Sequence, residues 1–120
     1  MSDSWPRATP RVTRRGRGWK STLAPPNLEI EWLTPDSADT GMRVARVCVR
    51  PFDPWEPAQS SVLQAAASVY VFEGEFEVSF GQDVHRVAAG EAINLPRGAH
   101  RMYRNGSGRP CRLLAAVLKV

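Results

Sequence analysis

A chain of 120 residues, 42% apolar and 23% charged, has room for one core and is too apolar to stay disordered as a whole. No apolar run approaches the ~20 residues of a membrane span, and the amino terminus lacks the apolar middle of a secretory signal, so a cytoplasmic protein is expected. The net charge of +4 is unevenly spread: residues 1–20 hold six Lys/Arg against Asp3, or +5, leaving −1 for the rest, so the basic balance says nothing about a nucleic-acid-binding domain.

Residues 1–26 read as a basic tail, disordered or loosely packed, punctuated by Pro6, Pro10, Gly16, Gly18, Pro25 and Pro26. A single domain is expected over 27–120. "NLEIEWL" alternates apolar and polar positions from Leu28 and predicts a half-buried strand. "TPDSADTG" is rich in turn formers. "MRVARVCVR" is a valine-dense strand, and "PFDPWEP" has too many prolines for a central one. "SVLQAAAS" offers at most a local helical turn.

"SVYVFEGEFEVSF" divides at Glu73–Gly74 into two alternating runs, the layout of a tight hairpin. Short strands follow in "DVHRV", "EAINL", "HRMYR" and "CRLLAAVLKV", separated by glycine- or proline-bearing turns. Many short strands with regular turn signals predict an all-β sandwich or barrel. Cys48 and Cys111 lie in strand-like apolar runs and read as buried small side chains, not a disulfide.

Residues 70–105, "YVFEGEFEVSFGQDVHRVAAGEAINLPRGAHRMYRN", resemble the two-motif centre of the cupin superfamily. Tyr70–Glu75 is similar to the end of the first motif, and Gly90, Pro96, Gly98 and Asn105 to the second. The likeness extends over roughly residues 28–118 and implies a small jelly-roll β-barrel. Gly74 and Gly98 fall where a tight turn is expected to need positive φ, and Gly90 marks the turn before a strand.

Metal-binding cupins place two histidines and a glutamate from the first motif, and a histidine from the second, inside the barrel. In this chain the resemblance puts those slots at Ser60, Val62, Ala66 or Ala67, and Arg101. A register shorter by one residue would turn His100 inward instead. His85 is expected to be exposed, and Asp53 and Glu56 lack ligand spacing. No metal and no cofactor are expected.

Side chains alternate along a strand, so Arg101 and Tyr103 share a face, as do Ser68, Tyr70 and Phe72. The expected pocket is lined by Tyr70, Phe72, Ser60, Val62 and Gln64, with Trp55 as a cap from the proline-rich loop. Catalytic roles would fall to Arg101 as an oxyanion anchor, with Tyr103, Tyr70 or His100 exchanging protons. Blander readings stand beside these: Arg101 at the rim with Met102 inward, the tyrosines as walls, His100 on the surface, and Glu73, Glu75 and Glu77 as a solvated strand face.

Three functions follow. The first is metal-independent binding of a small anionic or aromatic molecule in the barrel. The second is a cofactor-free isomerase, lyase or cyclase. The third is docking of nucleic acid or an acidic partner through the tail, the only route to nucleic acid. The resemblance also implies a homodimer, paired through an outer sheet and an exchanged amino-terminal strand, for which "NLEIEWL" is the candidate.

Overall fold

The computed structural model describes residues 10, 12–21, 26–35, 41–58, 63–98 and 100–118. They form strands β1 (Trp19–Lys20), β2 (Leu28–Trp32), β3 (Met42–Val49), β4 (Phe52–Pro57), β5 (Ala67–Glu73), β6 (Glu75–Phe80), β7 (Asp83–Ala88), β8 (Ala92–Leu95), β9 (Arg101–Asn105) and β10 (Cys111–Leu118). Among the described residues there is no helix, so the expected all-β class holds.

The strands make two antiparallel sheets, ordered β1-β2-β3-β10-β5-β8 and β4-β9-β6-β7. The two face each other across the core without closing into a continuous barrel. β10 is the central strand of the larger sheet. It sets Leu113 opposite Val47 on one side and Val71 on the other, and Ala115 opposite Ala45 and Val69. Its alternation is complete: Cys111, Leu113, Ala115 and Val117 are buried, and Arg112, Leu114 and Leu118 are exposed. Each valine or leucine taken from water in this way contributes about 1.5–3 kcal/mol.

Three expectations change. Glu73–Gly74 is no hairpin turn, because β5 and β6 lie in different sheets. Gly74 is the corner between them. It takes φ +80°, and a Cβ there would stand 2.5 Å from the Pro110 carbonyl oxygen. The hairpin lies one strand later, where Phe80 pairs with Asp83 across Gly81–Gln82. Gly98 does not have positive φ. It is small because the Phe80 ring would meet a Cβ at 2.7 Å. Gly90 does take φ +88°.

The third change concerns the tail. Trp19 and Lys20 pair with Trp32 and Glu31 as the edge of the larger sheet. The Thr13 hydroxyl donates to the Leu33 carbonyl at 2.7 Å, and the Gly18 amide donates to the Glu31 carboxylate. The ordered unit therefore begins before Asn27. Arg14, Arg15, Arg17 and Lys20 remain exposed.

Asn105 secures the other end of the cup. It is fully buried; its amide donates to the Val49 and Arg109 carbonyls, and its side-chain oxygen accepts from Ser107 N–H and Oγ–H. The motif asparagine therefore ties β3 to the loop before β10.

Two glycines separate conformational strain from crowding. Gly74→Ala is expected to lose about 3 kcal/mol or more, from positive φ plus the clash with Pro110. Gly81→Ala, at φ +65° with no atom within 4 Å of its Cβ position, is expected to lose about 1–2 kcal/mol. Urea unfolding of both variants checks the difference.

Candidate functional site

Between the sheets lies a cavity of about 110 Å³. Its walls come from alternate positions of the facing strands: Ile30 and Trp32 of β2, Val47 of β3, Val69 of β5, Phe76 and Val78 of β6, and Leu113 and Ala115 of β10. Among the described residues, every lining side chain apart from Arg101 and Tyr103 is hydrophobic. Both come from β9, two residues apart and so on one face. Residues 101, 103 and 105 are buried while Met102 and Arg104 are not, so Arg101 faces the core and Met102 does not take its place.

Arg101 is 5% exposed, and among the described residues no carboxylate is paired with it. Its Nη1 donates to the Leu63 carbonyl at 2.6 Å and the Ala65 carbonyl at 3.0 Å, and its Nη2 donates to the Pro96 carbonyl. The guanidinium also lies 5.9 Å from the Phe80 ring centroid. Burial lowers its pKa from the ordinary arginine value, since a charge taken from water is disfavoured. Carbonyl dipoles recover part of that cost. Arg101 Nε is buried with no hydrogen-bond partner.

The same lip is tied together elsewhere. Ala58 N–H donates to the Arg101 carbonyl, Gly98 N–H donates to the Gln64 carbonyl, and the Gln64 side-chain amide donates to the Ala58 carbonyl at 2.7 Å. Tyr103 is 7% exposed, and its hydroxyl donates to Asn27 Oδ1 at 3.1 Å. Burial pushes the phenol up to about 12. At neutral pH Tyr103 is therefore a hydrogen-bond donor and not a base.

Several predicted site residues lie elsewhere. Tyr70 and Phe72 are 46% and 40% exposed, on the outer face of the larger sheet, and Val69 and Val71 point inward instead. Parity links positions only within one strand, and β5 and β9 belong to different sheets, so the face of Arg101 fixed nothing about Tyr70. Trp55 does not cap the cavity. Arg104 lies 4.8 Å over its ring and is ion-paired with Glu77 on the outside of the smaller sheet. Gln64 braces the lip and does not line the cavity. His100 and His85 are exposed, which removes His100 from any catalytic role in the cavity. Ser60 and Val62 lie outside the described residues. Asn27 was not anticipated: it stands 76 residues from Tyr103 in sequence, and no local pattern marks it.

The described residues at the slots that the cupin resemblance assigns do not fit a metal ion. Among the described residues no three His, Cys, Asp or Glu side chains come together. Of the family's ligand slots, Ala67 and Arg101 line the cavity. One offers no donor atom, and the other is a fixed cation that offers only N–H donors.

A family profile for the cupin domain matches residues 64–117. No curated protein matches the chain. Among solved structures it is similar to an HTH_3 family transcriptional regulator from Vibrio cholerae, at TM-score 0.67 and 21% identity, over 84% of this chain and 56% of that one. This chain thus spans little more than half of the Vibrio protein. It is similar to the Cupin_2 domain of an XRE family transcriptional regulator from Enterobacter cloacae, at 0.64 and 15%, over 78% and 98%. It is also similar to the polyketide cyclase RemF from Streptomyces resistomycificus, at 0.70 and 20%, over 92% and 80%. Likeness at these identities establishes the fold.

The buried phenol gives a pH test. The folded state keeps the Tyr103 proton where the unfolded chain, with an ordinary value near 10, releases it. The stabilisation is complete below pH 10 and is lost as pH rises toward 12. Cys111, also pushed up to about 12, adds a parallel loss from pH 9 upward. Tyr103→Phe keeps the Cys111 part and removes the other. The stability gap between wild type and Tyr103→Phe is expected to narrow by about 1 kcal/mol from pH 8 to pH 11, read as urea midpoints.

Proposed function

We propose that the chain is a member of the cupin superfamily, whose domain profile matches residues 64–117, and that it binds a small organic molecule, aromatic or anionic, in the cavity between its sheets, without a metal ion. The observation that carries this is the cavity itself: hydrophobic walls with two buried polar side chains turned in by one strand. Drug-sized pockets run from about 300 Å³ upward, whereas an engineered apolar cavity of about 150 Å³ accepts benzene. The present cavity, about 110 Å³, is smaller than both, so a single ring or a short branched chain is the upper bound on its occupant.

Binding without turnover is the better-supported form. Among the described residues the lining holds no histidine or carboxylate to act as a base, and the Tyr103 hydroxyl is engaged with Asn27. Catalysis of the isomerase, lyase or cyclase kind would have to use Arg101 and Tyr103 alone. The likeness to both a cyclase and two regulators accommodates either. A cytoplasmic location is part of the same proposal. It rests on two cysteines that are both free and on the absence, among the described residues, of any helix able to cross a membrane.

The test is a thermal-shift screen of single-ring and branched-chain compounds, with product analysis of every hit. A true ligand at ten times its Kd is expected to raise Tm by about 6–10 °C. Ala115→Leu or Ala67→Leu, which fill the cavity from two strands, should abolish the shift while preserving cooperative unfolding. A shift that survives both substitutions would place the ligand elsewhere and end the proposal.

We propose further that the protein is a homodimer through the outer face of the larger sheet. Exposed Met42, Tyr70, Phe72, Leu114 and Leu118 all lie on that face, and an apolar concentration of this kind marks an interaction surface. A second copy suits it because a two-fold axis sets each apolar strip against itself. The four strands from β3 to β8 offer a footprint of about 500 Å² in plane, before side-chain relief, which is below the ~800 Å² per partner of a standard interface and in the range of a small one. Leu114→Glu is expected to convert a dimer to a folded monomer in sedimentation velocity. A wild-type monomer at high micromolar concentration would refute the assignment.

A further inference from the structure

The reading of the cavity as a binding site sharpens when the donors of Arg101 are counted. A guanidinium carries five N–H groups. Two on Nη1 go to Leu63 and Ala65, and one on Nη2 goes to Pro96. Two remain, Nε–H and the second Nη2–H. Nε is buried and unpartnered on a side chain 95% removed from solvent that forms part of the cavity wall. An unmade bond at a buried charged donor costs about 1–3 kcal/mol or more, and folded proteins rarely leave one without a partner.

Charge narrows what that partner is. Among the described residues the lining includes no carboxylate, so Arg101 leaves one uncompensated positive charge beside hydrophobic walls. A neutral acceptor would satisfy the N–H and leave the charge. A dianion such as a phosphate monoester would reverse the imbalance, and the described residues of the lining supply no second cation for it. A monoanion cancels the charge. Nε and Nη2 share one edge of the guanidinium plane, and that edge takes two oxygens of one carboxylate side by side.

We propose that the occupant of this cavity is a small monocarboxylate, its carboxylate held by Nε–H and the free Nη2–H of Arg101 and its ring or branched chain packed among Val47, Phe76, Val78 and Leu113. This rests on the cavity reading above. It assigns Arg101 two roles at once, a clamp on the lip through three N–H groups and an anion receptor through the other two.

The experiment uses the full-length wild-type protein, because replacing Arg101 would also release the lip. Benzoate and 3-methylbutanoate are titrated calorimetrically against benzamide and 3-methylbutanamide, each competed with toluene and repeated on Ala115→Leu. The expected result is that at least one carboxylate binds about tenfold or more tighter than its amide, is displaced by toluene and is lost in Ala115→Leu. A crystal structure of that complex should show a carboxylate oxygen about 3 Å from Nε. Amides or toluene that bind as well as the carboxylates would overturn the carboxylate assignment and leave the cavity reading standing. Failure of every probe, toluene included, would overturn both. Carboxylate binding that persists in Ala115→Leu would overturn this proposal by placing the anion outside the cavity.

Discussion

The cup depends on how one buried cation is satisfied. Arg101 stands where solvation is lost and no anion is at hand, so its guanidinium must be met by dipoles. The carbonyls that meet it come from Leu63, Ala65 and Pro96, on two segments more than thirty residues apart in sequence. One side chain thus organises the approach to β5, the exit from β8 and the start of β9. The Arg101 backbone joins in by accepting from Ala58, so the end of β4 is fixed from the same residue. Alanine here would leave three carbonyls short of a donor as well as removing a charge.

Around that hub the chain solves its other close approaches by subtraction. Gly98 lets the Phe80 ring lie against the turn after Pro96, and Gly74 lets the chain pass from one sheet to the other beneath Pro110. Asn105 closes the far end with four satisfied hydrogen bonds. These residues resemble a functional motif, yet in this chain their work is architectural. The slot that the cupin resemblance assigns to a histidine holds an arginine whose contacts keep the lip in place.

That substitution also explains the chemistry of the interior. A metal site needs lone pairs directed inward, and this cavity presents hydrocarbon and N–H donors. Tyr103, held protonated by burial, commits its one O–H to Asn27, so the donors turned toward the interior are those of Arg101. The interior is therefore matched to acceptors and apolar bodies. The charged pairs Arg86–Glu75, Arg104–Glu77 and Arg112–Glu73 all lie outside, where water screens them and they add little to stability.

Residue patterns alone determined that the chain is all-β, where most strands lie, and that residues 70–105 have a cupin-like centre, because alternation and turn chemistry are local. The inward face of β9 was legible as a choice between Arg101 and its neighbours. The face of β5 was not, because "SVYVF" is apolar at both parities and only pairing with β10 selects Val69 and Val71. Trp55, Gln64 and His100 looked like pocket residues for their chemistry alone; each is spent on a contact or exposed to water. The corner at Gly74, the docking of Trp19–Lys20, the Asn27–Tyr103 bond and the carbonyls around Arg101 were decided only by tertiary structure. Each joins atoms whose proximity depends on how two sheets are laid face to face, and no local period in a sequence records that distance.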